Sequence, residues 1–139
     1  MGNIRILIAD DHNVFRTSTR KILEREIDFD IVAEAANGEE AVTLVELLKP
    51  DIAIIDISMP VMDGIVATEN IKQRSPATAI LILTNYDDDQ FVQRLLKTGV
   101  SGYLLKSIHN NELIAAIRTI HDGRLVFDPL ILEKVKDGT

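Results

Sequence analysis

The sequence predicts an α/β fold: a doubly wound parallel sheet of five strands with helices on both faces. Three observations lead there. Five short apolar runs alternate with longer amphipathic stretches. The runs are strongly apolar, as strands covered on both faces require. Residues that cap or break helices punctuate the boundaries. Right-handed crossovers between such units wind helices onto both sides of the sheet.

The elements follow in order. Ile4 to Ala9 reads as a buried strand, ended by Asp10-Asp11. Val14 to Arg25 has helical periodicity, with Val14, Ser18 and Ile22 on one row and Phe15 and Leu23 beside it. Phe29 to Ala35 is the second strand. Asn37 stands at a helix N-cap, with Glu39 and Glu40 in the first turn. Ala41, Leu44, Val45 and Leu48 form that helix's apolar face, and Lys49-Pro50 ends it. The third strand spans Ile52 to Asp56, followed by the loop Ser58-Met59-Pro60. Asp63-Gly64 opens a helix that runs to about Arg74 and closes at Ser75-Pro76. The fourth strand is Ala79 to Thr84. Asp87, Asp88 and Asp89 favour the N-terminus of the next helix, which carries Phe91, Val92, Leu95 and Leu96 and is capped by Gly99. The fifth strand is Gly102 to Lys106. The fifth helix starts near Asn110 or Asn111, buries Leu113, Ile114, Ile117 and Ile120, and ends at Gly123. Beyond it, Asp128-Pro129 has the form of an N-cap with proline at the first helical position. Ile131, Leu132 and Val135 suit a short helix, either packed on the domain edge or serving as a linker.

Bulk properties narrow the function. The 139 residues fit one domain, with 46% hydrophobic and 27% charged residues. Cysteine is absent, so these residues form no disulfide and no thiolate metal site. Net charge is -7 and no basic stripe is visible, so nucleic-acid binding by this segment is not expected. No apolar run is long enough to span a bilayer, and a cytoplasmic location is expected.

The chemistry lies at the strand ends. The first strand ends in Asp10-Asp11, the third in Asp56, the fourth in Thr84 and the fifth in Lys106. In a sheet of this kind the working site forms at the carboxyl ends of the strands. Each residue alone has a plain structural use: a cap, a strand terminus, a snorkelling lysine. Together they bring three carboxylates, a hydroxyl and an ammonium into one pocket. Neighbouring carboxylates repel, and a divalent cation with oxygen ligands relieves them. An aspartate can attack phosphorus and form an acyl phosphate, a reaction that needs charge neutralisation more than proton transfer. Mg2+ and Lys106 would supply that charge, and the Thr84 hydroxyl can donate to a phosphate oxygen. His12 alone is weak support for a transition metal and is placed in the loop or first helical turn. His109 and His121 are expected on the surface. Glycine-rich phosphate loops and a nucleophile elbow are missing.

The stretches Ile8-Ala9-Asp10-Asp11-His12, Ile54 to Gly64, Leu83-Thr84 and Gly102-Tyr103-Leu104-Leu105-Lys106 carry a resemblance. Together they resemble the receiver domain of bacterial two-component response regulators, and "DDH" with "SGYLLK" is most similar to the NarL/LuxR-type subfamily. The resemblance implies the strand order 2-1-3-4-5. It implies that Asp56 accepts a phosphoryl group from a histidine kinase. Asp11, Asp56 and the Ser58 backbone carbonyl would ligate Mg2+, and Asp10 would assist through a water. Lys106 would contact the phosphoryl group, Thr84 would move towards it, and Tyr103 would follow inward as a switch. No separate organic cofactor is implied. The chain would then be a phosphoacceptor that assists its own phosphorylation and dephosphorylation rather than an enzyme with a substrate. Residues 1–123 would form the receiver. Residues 124–139 would be a helix or a linker towards a helix-turn-helix DNA-binding domain outside these residues, with dimerisation on phosphorylation. Two rivals remain open. An aspartyl-phosphate phosphohydrolase would place a second aspartate two positions after the nucleophile, where this chain has Ser58. A flavodoxin-like binding module would want a phosphate loop and more than 4% aromatic residues.

Overall fold

A computed structural model describes residues 3–137. Within them six strands and six helices alternate: β1 (Ile4–Ala9), α1 (Asn13–Glu24), β2 (Phe29–Ala35), α2 (Gly38–Leu48), β3 (Ile52–Ile55), α3 (Gly64–Arg74), β4 (Ala79–Thr84), α4 (Asp89–Thr98), β5 (Gly102–Leu105), α5 (Asn110–His121), β6 (Val126–Phe127) and α6 (Pro129–Asp137). The strands form one sheet in the order β2-β1-β3-β4-β5-β6, with every pair parallel. The expected five-strand order 2-1-3-4-5 is present. The sixth strand is an addition that the sequence did not suggest. Val126 and Phe127 pair with Gly102 and Tyr103 on the open edge of β5.

Alternation along the strands divides the core into two layers. Ile4, Ile6 and Ile8 of β1 face α1 and α5, where Leu23, Leu113, Ala116, Ile117 and Ile120 bury against them. Leu7 and Ala9 face the other side with Ile55, Ile82 and Tyr103, under α2, α3 and α4. No helix among the described residues is long and apolar enough to cross a membrane.

Some faces differ from expectation. On α1 the inward row is Phe15, Thr19 and Leu23, while Val14 is 82% exposed. The row of Val14, Ser18 and Ile22 is out of phase with the buried face because Thr19, a polar residue, takes the central buried position. On α5, Ala116 is buried and Ile114 only partly so. Asp56 and Lys106 each lie one residue past their strand rather than within it. His109 and His121 are exposed.

After Gly123 the chain stays on the body. Asp128 caps α6, its carboxylate accepting from the Leu130 N–H at 3.0 Å. Ile131 is fully buried in the core layer under α4, while Leu132 is exposed. The Lys134 ammonium meets the Asp89 carboxylate of α4 at 2.6 Å, and Gln93 donates to the Lys134 carbonyl at 3.1 Å.

Candidate functional site

Parallel pairing aligns the carboxyl ends of β1, β3, β4 and β5 at one edge of the sheet. Backbone bonds continue past the strands and fix the loops there. Asp10 N–H donates to the Ala35 carbonyl at 3.0 Å, Asp56 N–H to the Ala9 carbonyl at 3.0 Å, and Lys106 N–H to the Thr84 carbonyl at 2.9 Å.

The side chains converge as the strand ends implied. Asp56 is 2% exposed and Asp10 3% exposed. The Lys106 ammonium lies 2.9 Å from Asp56 Oδ2 and 2.8 Å from Asp10 Oδ2, bridging the two. Thr84 Oγ1 donates to Asp56 Oδ1 at 2.6 Å. Both Asp56 oxygens therefore have a donor, one charged and one neutral. Asp11 lies at the rim with its side chain 35% exposed. His12 precedes α1 as its N-cap residue, and its side chain stays exposed with Nδ1 towards the carboxylates. Its Nδ1 is 3.1 Å from Asp10, 3.3 Å from Asp11 and 3.9 Å from Asp56. Burial pulls the Lys106 pKa down, but its hydrogen bonds to Asp10 and Asp56 and their charges outweigh it. The net shift is upward.

The donor set suits a divalent cation. One ligand atom from each of Asp10, Asp11, His12 and Asp56 falls within 4.8 Å of the others. Two buried carboxylates and a rim carboxylate face a single ammonium, so negative charge is in excess. Hard oxygen donors of this kind fit Mg2+. Ser58 is exposed two residues past Asp56, on the rim of a groove it shares with Met59, Tyr86 and Phe91.

Local chemistry shapes the loop after Asp56. Met62 N–H donates to the Pro60 carbonyl at 2.7 Å, around Val61 at φ +69. This tight three-residue turn is strained for a β-branched residue. It delivers Asp63, whose carboxylate accepts from the N–H groups of Ile65 and Val66, both at 2.9 Å. Asp63→Ala removes this cap, and stability is expected to fall by about 1 kcal/mol in urea unfolding. An unchanged midpoint would show that the cap contributes nothing. α3 then starts hard against Asp56: Gly64 N–H donates to the Ile57 carbonyl at 2.8 Å.

Tyr103 is fully buried, and its hydroxyl donates to the Tyr86 carbonyl. Burial raises its pKa, and the charges of Asp87, Asp88 and Asp56 push in the same direction, so it stays neutral. Phe15, a helix-face residue by its periodicity, also belongs to the site. Its ring centroid lies 4.5 Å from the Lys106 nitrogen. A cation over an aromatic face is stabilised by the ring quadrupole, and this contact helps fix the ammonium. The spacing of the motifs carried no signal for it.

Residues 6–118 match the response regulator receiver domain family. The chain belongs to that family. The receiver is 41% identical over 130 residues to the transcriptional regulatory protein DegU of Brevibacillus brevis, covering 94% of this chain and 55% of that protein. It is 43% identical over 126 residues to the oxygen regulatory protein NreC of Staphylococcus epidermidis, covering 90% of this chain and 58% of that protein. The receiver thus spans little more than half the length of these curated relatives. Among solved structures, a LuxR-family two-component response regulator from Aurantimonas matches with a TM-score of 0.90 and 36% identity, covering 99% of this chain and 98% of that one. The signal receiver domain of the response regulator NarL from Mycobacterium tuberculosis matches with a TM-score of 0.84 and 29% identity, covering 89% and 100%. These likenesses place the receiver in the NarL/LuxR-type subfamily.

Proposed function

We propose that this receiver is a phosphoacceptor switch and that Asp56 is the acceptor. A carboxylate oxygen of Asp56 attacks the phosphorus of a phosphohistidine on a sensor histidine kinase. The new P–O bond forms as the P–N bond breaks, and the kinase imidazole leaves with its electron pair. One observation carries this reading. The nearly buried Asp56 carboxylate holds a lysine ammonium on one oxygen and a threonine hydroxyl on the other. Lys106 then neutralises the phosphoryl oxygens, and the Thr84 hydroxyl donates to one of them. Mg2+, held by Asp11, Asp56 and the Ser58 carbonyl with Asp10 assisting through water, would add charge neutralisation across the transferring group.

Continuous hydrogen bonds would carry the switch outward from Asp56. Phosphorylation adds nearly two negative charges at this strand end. Thr84 Oγ1 also accepts from the Tyr86 N–H at 3.4 Å, and the Tyr86 carbonyl accepts from Tyr103. Drawing Thr84 further in therefore loads the segment that ties β4 to the Tyr103 ring. The surface of β4, α4 and β5 changes population in response. Dimerisation of the phosphorylated protein, and DNA binding through a helix-turn-helix domain outside these residues, complete the proposed output.

Intact-mass analysis after incubation with acetyl phosphate and Mg2+ tests the assignment. One added phosphoryl group is expected, with none in Asp56→Asn or after chelation of the metal. Labelling that survives Asp56→Asn would refute it. Continuous release of phosphate from an unrelated ester would favour the phosphohydrolase instead.

A further inference from the structure

One side chain outside the ligand set reaches the loop that carries it. Arg16 lies in the first turn of α1, with its side chain only 16% exposed. Its guanidinium donates in three directions. Nη1 meets the backbone carbonyl of Asp10, Nη2 meets Asn13 Oδ1 at 2.9 Å, and Nε meets Glu34 Oε1 at 2.9 Å. Glu34 stands on β2 opposite Ile8 of β1, so the anchor is part of the sheet. Its second oxygen accepts from Arg20 at 2.7 Å. Burial raises the Glu34 pKa, but the two guanidiniums lower it by more, and the carboxylate stays charged.

The Asp10 carbonyl belongs to the peptide that joins Asp10 to Asp11. The orientation of that peptide decides where both acidic side chains leave the backbone. Asp10 Oδ1 is further held by the His12 N–H at 2.9 Å. We infer that Arg16, anchored by Glu34, is a positioning residue that sets the Asp10–Asp11 peptide so that both carboxylates face Asp56 at cation-binding spacing. This rests on the reading of the pocket as a Mg2+-assisted phosphoacceptor site. A forked guanidinium suits the task, because three acceptors in different directions need fixed, planar donors that an ammonium cannot offer.

Arg20 supplies the control. It binds the same Glu34 carboxylate and also Glu24, yet makes no hydrogen bond to Asp10. Isothermal titration of Mg2+ into the full chain compares wild type with Arg16→Met, Arg16→Lys, Arg20→Met and Glu34→Gln. Arg16→Met keeps an apolar stem and loses every donor. It is expected to bind Mg2+ about tenfold more weakly, as loss of outer-sphere partners does elsewhere. Acetyl phosphate labelling should slow at limiting Mg2+ and recover at saturating Mg2+. Arg16→Lys should regain part of the affinity. Arg20→Met should stay within about twofold of wild type at a similar cost in thermal stability. Should Arg16→Met fail to fold, Glu34→Gln is read instead and should lose affinity by less than the tenfold step. Wild-type Mg2+ affinity in whichever of the two is read, or an equal loss in Arg20→Met, overturns the inference. Absence of Mg2+ binding by the wild-type chain overturns the site reading itself.

Discussion

Lys106→Met is expected to lower stability by about 3 kcal/mol at neutral pH, as removal of one partner from a buried ion pair does. The ammonium is 7% exposed and bridges two carboxylates that are themselves nearly buried. Without it Asp10 and Asp56 face each other with no compensating charge, and only Thr84 still donates to Asp56. Added Mg2+ should narrow the deficit at constant pH. Asp56→Asn offers the contrast: Lys106 keeps Asp10, and one like charge disappears, so stability should change little while phosphorylation is abolished. Urea unfolding with and without Mg2+ checks both. A deficit below about 1 kcal/mol that ignores Mg2+ would contradict the ion-pair account. In the wild type the Lys106 pKa is raised above the ordinary lysine value of 10.5. Its stabilisation is therefore complete below that value and is lost only as pH rises through the higher folded value.

Gly64→Ala is expected to be as damaging, for a steric reason. A Cβ at Gly64 would lie 2.0 Å from the Asp56 carbonyl oxygen, 2.8 Å from its carbon and 2.9 Å from the Ile57 Cα. All three are backbone atoms and cannot turn aside. Either α3 moves away or the Asp56 peptide is displaced. A loss of about 3 kcal/mol follows, at the upper end of overpacking costs. Displacement of Asp56, the proposed acceptor, should also slow phosphorylation by on the order of tenfold, since a misplacement of an ångström can cost more. Gly99 makes a useful control. Its φ is +92 and a Cβ there meets nothing within 4 Å. Gly99→Ala should therefore cost only about 1 kcal/mol, from backbone strain, and leave phosphorylation untouched. If Gly64→Ala folds and labels like the wild type, the close approach is not a constraint.

Much of this was legible in the chain itself. The strands and helices are marked by strong apolar periodicity and by caps such as Asn37, Asp63 and Gly99, whose local chemistry needs no tertiary information. The pocket was legible because parallel strands send their carboxyl ends to one side, so Asp10, Asp56, Thr84 and Lys106 had to meet. What could not be read depended on partners distant in sequence. Val126 and Phe127 are extended because β5 offers them an open edge, and two residues carry no period of their own. The phase of α1 is set by the layer beneath it, where Thr19 rather than Ser18 turns inward. Phe15 and Arg16 look like ordinary helix-face residues until the loop that carries Asp10 folds against them.

The short sixth strand has a mechanical corollary. The Tyr103 carbonyl accepts from the Asp128 N–H at 2.9 Å, and Asp128 in turn starts α6. The strand that leads into Lys106 is thus hinged directly to the final helix of the described residues. A tilt of that strand would carry the start of α6 with it and press on α4, without any contact at the acidic pocket.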